Sequence, residues 1–207
     1  MIRSGVTAGT PAKIPFGMGV FFSGVPYNEK VAPTIEAIRA AMKGATQDGG
    51  TFTIEPQFFD IPADGVDVPV AELKQKIGET AKMETSFAEL TPELLMHQAI
   101  ANIGETTDGN YDVITSASVL KAGHFYEGFG YLGYHLDGRE MIILFKKALC
   151  TSGVSYESKS KQNNVFKGTF ECHSDLEYGV SKLPYAIFIR KADGWKAVDP
   201  DEVAAAA

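Results

Sequence analysis

Residues 81–88 read Ala81-Lys82-Met83-Glu84-Thr85-Ser86-Phe87-Ala88, the clearest alternation in the chain. Ala81, Met83, Thr85 and Phe87 fall on one side and Lys82, Glu84, Ser86 and Ala88 on the other. Successive side chains of a strand point to opposite faces, so this period of two predicts a solvated antiparallel strand with one buried face. Immediately after it, Thr91 offers an N-cap hydroxyl, Pro92 suits the first helical position and Glu93 complements the helix dipole. Leu95, Met96, Ala99, Ile100 and Ile103 follow at helical spacing, and Gly104 is placed to end the helix.

On either side of this stretch, strand signals dominate. Residues 16–22 predict a first strand, and Phe52 and Ile54 alternate with polar neighbours after a turn at Gly49-Gly50. Residues 58–61 continue that sheet. Further strands are expected over 125–136, 141–148, 154–158, 165–173 and 185–190, with Asp137-Gly138 as a two-residue hairpin turn. The run Met141-Ile142-Ile143-Leu144-Phe145 is apolar on both faces, which predicts cover on both sides. Over 31–43, Ile35, Ile38 and Met42 share one helical face, between Pro33 and Gly44, and predict another helix. The fold class is therefore mainly β, an antiparallel β-sandwich or barrel with one or two flanking α-helices.

The 207 residues suit one domain over 16–198, flanked by an N-terminal arm (1–15) and an acidic, then all-alanine, C-terminal arm (199–207). Residues 62–78 carry Pro62, Gly65 and Pro69 with weak apolar patterning and are expected to form a long loop, of the kind that is functional or contacts a neighbour. The chain shows no secretion signal and no run approaching the roughly 20 apolar residues needed for a bilayer-spanning helix. A soluble protein made without a signal, with no membrane partner, is the expectation.

A net charge of −7 argues against a protein that grips nucleic acid, since such binding draws on clustered Lys and Arg. Cys150 and Cys172 have neither zinc-site nor disulfide-scaffold spacing and are expected to be reduced and buried. A metal site would have to draw on His124, His135 and His173 with Glu127 and Glu171, residues too far apart to meet without a tertiary coincidence. No Gly-x-Ser-x-Gly turn positions a nucleophile. Gly128, Gly130 and Gly133 alternate with Phe129, Tyr131 and Tyr134 inside a strand pattern, which reads as close packing or a bulge rather than a phosphate cradle. Lys159, Lys161 and Lys167 around Asn163-Asn164 read as a solvated turn. No catalytic, cofactor or metal residue is expected, and the chain is not read as an enzyme.

Two stretches resemble the tail tube (major tail) proteins of long-tailed bacteriophages. The first runs Gly44-Ala45-Thr46-Gln47-Asp48-Gly49-Gly50-Thr51-Phe52, similar to a Gly-Ala-Thr-x-Gly-Gly turn feeding a strand, except that Asp48 is inserted; it continues into Asp64-Gly65-Val66-Asp67-Val68-Pro69-Val70. The second is the passage from Phe87 through Thr91-Pro92-Glu93 into the helix. The resemblance implies a structural virion protein whose sheets join those of its neighbours in a hexameric ring with a continuous inner β-barrel, the rings stacking into the tube of a siphovirus tail. Viral DNA would pass through the lumen without specific binding. A tape measure protein and a tail terminator are the implied further partners, with assembly in the host bacterial cytoplasm and a final place in the virion tail. It also implies that the long loop and both arms reach adjacent subunits or rings, with Asp64, Gly65, Val66, Asp67, Val68, Pro69, Val70, Leu73, Lys74 and Lys76 as contact candidates. Two alternatives stand beside it, the tube protein of a contractile injection or secretion system and a β-barrel metal-dependent enzyme.

Overall fold

A computed structural model describes residues 19–65, 67–155 and 165–191. Those residues form strands β1 (Val20–Phe22), β2 (Thr46–Asp60), β3 (Lys74–Phe87), β4 (Ala101–Glu105), β5 (Asp112–Ser116), β6 (Tyr126–Tyr134), β7 (Glu140–Cys150), β8 (Phe166–His173) and β9 (Tyr185–Ile189), with helices α1 (Ile35–Ala40) and α2 (Pro92–Ala99). The main sheet is antiparallel in the order β1-β6-β7-β8-β3-β2. β9 pairs with Met141–Phe145 of β7, while β8 pairs with Lys147–Cys150 on the same strand. β8 and β9 thus lie end to end along one edge of β7, separated by the loop at 174–184.

The apolar run of β7 is covered on both sides, as its pattern requires. Ile143, Phe145, Ala148 and Cys150 face one cluster with Phe21, Met83, Phe87, Phe129 and Phe170. Ile142 and Leu144 face a second, with Phe22, Val25, Ile38 and Leu132. Each fully buried side chain of this size contributes about 1.5–3 kcal/mol by leaving water. The sheet rolls until its two ends meet: a Cβ at Gly50 on β2 would stand 2.7 Å from the Phe21 ring of β1. The result is the antiparallel, mainly β fold with flanking helices that the patterning predicts.

Local readings fare differently. β3 buries Ala81, Met83, Thr85 and Phe87. Asp137-Gly138 closes the β6–β7 hairpin, with the His135 N–H donating to Arg139 O at 2.8 Å and Gly138 at φ +84°. The glycines of β6 are close-packing positions: a Cβ at Gly128 would sit 1.7 Å from Val25 O, and one at Gly130 would sit 2.4 Å from the Phe22 ring.

Four expectations need correction. Gly49-Gly50 is no turn before β2 but part of a bulge within it, because the register passes from Gln47↔Ser86 to Gly50↔Thr85. The inserted residue is absorbed there, with Gly49 at φ +74°. α2 stops at Ala99, since Ile100 turns left-handed at φ 50° and Gly104 lies in β4. α1 is shorter than the 31–43 pattern suggests. The chain after it bonds to β1 instead, Lys43 N–H donating to Phe21 O at 3.1 Å, and Met42 is exposed. The long loop also shrinks, because Lys74 and the residues after it are β3.

Of the expected strand at 154–158, Val154 and Ser155 are not in a strand and the remainder lies outside the described residues. Both arms and the Asn163-Asn164 turn also lie outside them.

Candidate assembly interface

β3 pairs with β8 only over Lys82–Phe87, whereas its pairing with β2 runs out to Asp60↔Lys74. Eight residues separate Lys82 from Lys74, so at 3.4 Å per residue the hairpin continues about 27 Å beyond the barrel as a two-stranded ribbon. A lone two-stranded ribbon is marginal in water. Here its base is buttressed by the Tyr185 hydroxyl, which donates to Glu79 at 3.4 Å. Its shaft is held by Lys74, which pairs with Asp60 at 3.0 Å and sits 5.6 Å over the Phe58 ring, and by an ion pair between Lys76 and Glu79.

Phe58, Phe59 and Ile77 on this ribbon remain half exposed or more, at 55%, 50% and 64%. Three large apolar side chains on a ribbon with a bulge between Gln57 and Phe58 are what a subunit contact uses and what a free surface avoids.

Ile61 N–H donates to Leu73 O at 2.9 Å and closes the base of the tip. Within the tip, Asp64 and Gly65 form a turn with Gly65 at φ +82°, Asp67, Val68 and Pro69 are exposed, and Val70 leads into a 3-10 turn at Ala71–Leu73. The structure therefore gathers Asp64, Gly65, Asp67, Val68, Pro69, Val70 and Leu73 at one end of the ribbon. Lys74 and Lys76 belong to its shaft, and Val66 is outside the described residues.

A second, smaller ribbon was not legible in sequence, because β4 was read as the end of α2. β4 and β5 pair only with each other, and beyond buried Ala101 the β4 residues are exposed. Its turn is fixed by Asp108, which accepts from the Asn110 side chain at 2.7 Å and from the Thr106 hydroxyl. Those bonds hold the Asp108 carboxyl down at about 2.

The histidines serve packing. His97 stacks on Tyr126 at 3.8 Å and its Nδ1 hydrogen-bonds to His124 O at 3.0 Å; burial lowers its pKa. His124 accepts the Lys121 N–H at 3.0 Å, and His173 meets Phe125 edge-on. Among the described residues no three His, Cys, Asp or Glu side chains are grouped to hold a metal. Cys150 and Cys172 are buried free thiols, and burial raises Cys172 to about 12.

Sequence reasoning also missed a groove of about 640 Å³ between the 30–35 segment and β9, lined by Lys30, Pro33, Ile142, Ile187, Ile189 and Arg190 among others. It is assembled from three distant stretches of chain, and only the exposed apolar alternation of β9 hinted at it. No helix among the described residues is long and apolar enough to cross a membrane.

No protein-family model matches the sequence, and no curated protein matches it. Among solved structures the chain is similar to a protein of the virion of a native gene transfer agent particle, at 8% identity and a TM-score of 0.41, over 82% of this chain and 95% of that one. A likeness of this depth assigns neither fold nor function.

Proposed function

We propose that the chain is the tail tube subunit of a long-tailed phage, a structural virion protein that forms hexameric rings stacked into a conduit for DNA. The observation that carries the reading is the β2–β3 ribbon, which leaves the barrel with exposed Phe58, Phe59 and Ile77. Support also comes from the unpaired outer edge of β2, fifteen residues long among the described pairings. An exposed edge of that length is a template for another chain, and a closed ring satisfies every such edge without open-ended growth. The resemblance of Gly44–Phe52 and of the tip sequence to tail tube proteins points the same way.

In this reading the subunit interacts chiefly with copies of itself, with a tape measure protein inside and a terminator at the end. The net charge of −7 suits a wall that DNA slides past, since each added phosphate contact would retain it. Negative-stain electron microscopy with sedimentation over a range of concentrations tests it. Rings or tubes of uniform bore are expected, and a strict monomer under all conditions, initiator complex included, would sink the proposal. Replacing 62–72 by a short turn between Ile61 and Leu73 is expected to leave the fold intact and to stop rings stacking.

A further inference from the structure

We propose that the groove between the 30–35 segment and β9 is the receptor for the ribbon tip of a second copy of this chain. The inference rests on the ring-stacking reading and adds to it the surface that the tip engages.

The two surfaces match in chemistry. The tip, from Ile61 to Leu73, carries Asp64, Asp67 and Glu72 and no basic residue. Its apolar groups include Val68, 68% exposed, and Ile61. The groove has an apolar floor of Ile142, Ile187 and Ile189, with Pro33 on the opposite wall and Lys30 and Arg190 as its cations. Its single acid, Glu140, is already bound by Arg190 at 3.0 Å, so the lining as a whole is net positive. An acidic tip with apolar side chains therefore meets a basic-edged apolar slot.

The groove also offers backbone. Arg190 N–H donates to Glu140 O, and Lys146 N–H donates to Pro184 O. The alternation of an antiparallel pair then turns Ala186 and Phe188 toward β7 and leaves the amides and carbonyls of Ile187 and Ile189 facing outward. Ile187 and Ile189 are 42% and 55% exposed on what would otherwise be a costly apolar edge. The occupant is a second copy because the tip contributes nothing to its own chain's groove and is carried about 27 Å from the barrel by the ribbon.

A charge-swap cycle read by sedimentation tests the contact. The groove variant Lys30→Glu/Arg190→Glu and the tip variant Asp64→Lys/Asp67→Lys/Glu72→Lys are each expected to weaken self-association by at least about tenfold, as several facing charge pairs permit. An equimolar mixture of the two, and the chain carrying both sets, should regain it. Thermal melts show that each variant is folded.

The proposal is overturned if the groove variant associates like wild type, or if the mixture and the combined chain both stay apart while folded. Tubes that persist in the groove variant would remove the contact and leave the tube reading standing. Restored association that yields no ring or tube in the microscope would do the reverse.

Discussion

The two ends of the β2–β3 hairpin are the same pair of strands in opposite environments. From Ala81 to Phe87, β3 is flanked by β2 and β8 and alternates buried and open side chains around the aromatic cluster of Phe21, Phe129 and Phe170. From Lys74 to Ile77 it has β2 alone, its side chains are exposed, and no core lies beneath it. Strand pairing thus persists where packing has ended. The barrel end holds the monomer together, and the free end keeps its apolar surface for another molecule.

The sharpest way to break that division is to remove one side chain from each end. Phe170, fully buried and 4.5 Å from Phe129 between ring centroids, should cost about 3–5 kcal/mol as Phe170→Ala, a large share of a total stability of about 5–15 kcal/mol. Urea denaturation measures it.

Gln98 sharpens the contrast from the other side. It is 1% exposed beneath α2, and neither its Nε2 nor its Oε1 has a hydrogen-bond partner. Gln98→Leu should raise stability by about 1 kcal/mol, since an unsatisfied buried amide is lost and apolar packing is gained. A lower denaturation midpoint would show that the amide is in fact satisfied.

A smaller effect is expected from acid. Burial lowers the His97 pKa below its usual 6.5, so between that lowered value and 6.5 the unfolded chain binds more protons than the folded one. Stability from this residue is therefore complete above pH 6.5 and falls as pH drops through that window. His97→Gln should flatten the part of the melting-temperature decline between pH 7.5 and 5.5 that His97 causes. An unchanged slope would place the acid sensitivity elsewhere.

The smallest effect on the monomer is expected at the free end. Phe58→Ser should change unfolding free energy by no more than about 0.5 kcal/mol while weakening self-association in sedimentation. A loss comparable to that of Phe170→Ala would make the ribbon part of the core and collapse the comparison.

Local readings succeeded where one short stretch contains the whole cause. The β3 alternation, the Asp137-Gly138 hairpin and the two-sided apolar run of β7 all depend on neighbours in sequence. They failed where a distant strand competes. Met42 looks helical by spacing, yet the edge of β1 claims the residues beside it. Gly49-Gly50 looks like a turn, yet β3 pairs on both sides of it and Phe21 needs the space above Gly50. Residues 74–78 look like loop because a ribbon exposed on both faces has no apolar alternation to detect.

By itself the sequence determined that this is an antiparallel β protein with short helices, because residue period and turn chemistry are local properties of the chain. It also placed an acidic, proline- and glycine-bearing segment at 62–73. Only the tertiary structure decided that this segment sits at the end of a ribbon projecting from the barrel, that the sheet closes with Phe21 over Gly50, and that Lys30, Ile142 and Ile189 come together in one groove. Those features depend on which strands pair and how far, and pairing between distant stretches leaves no periodic trace in either one.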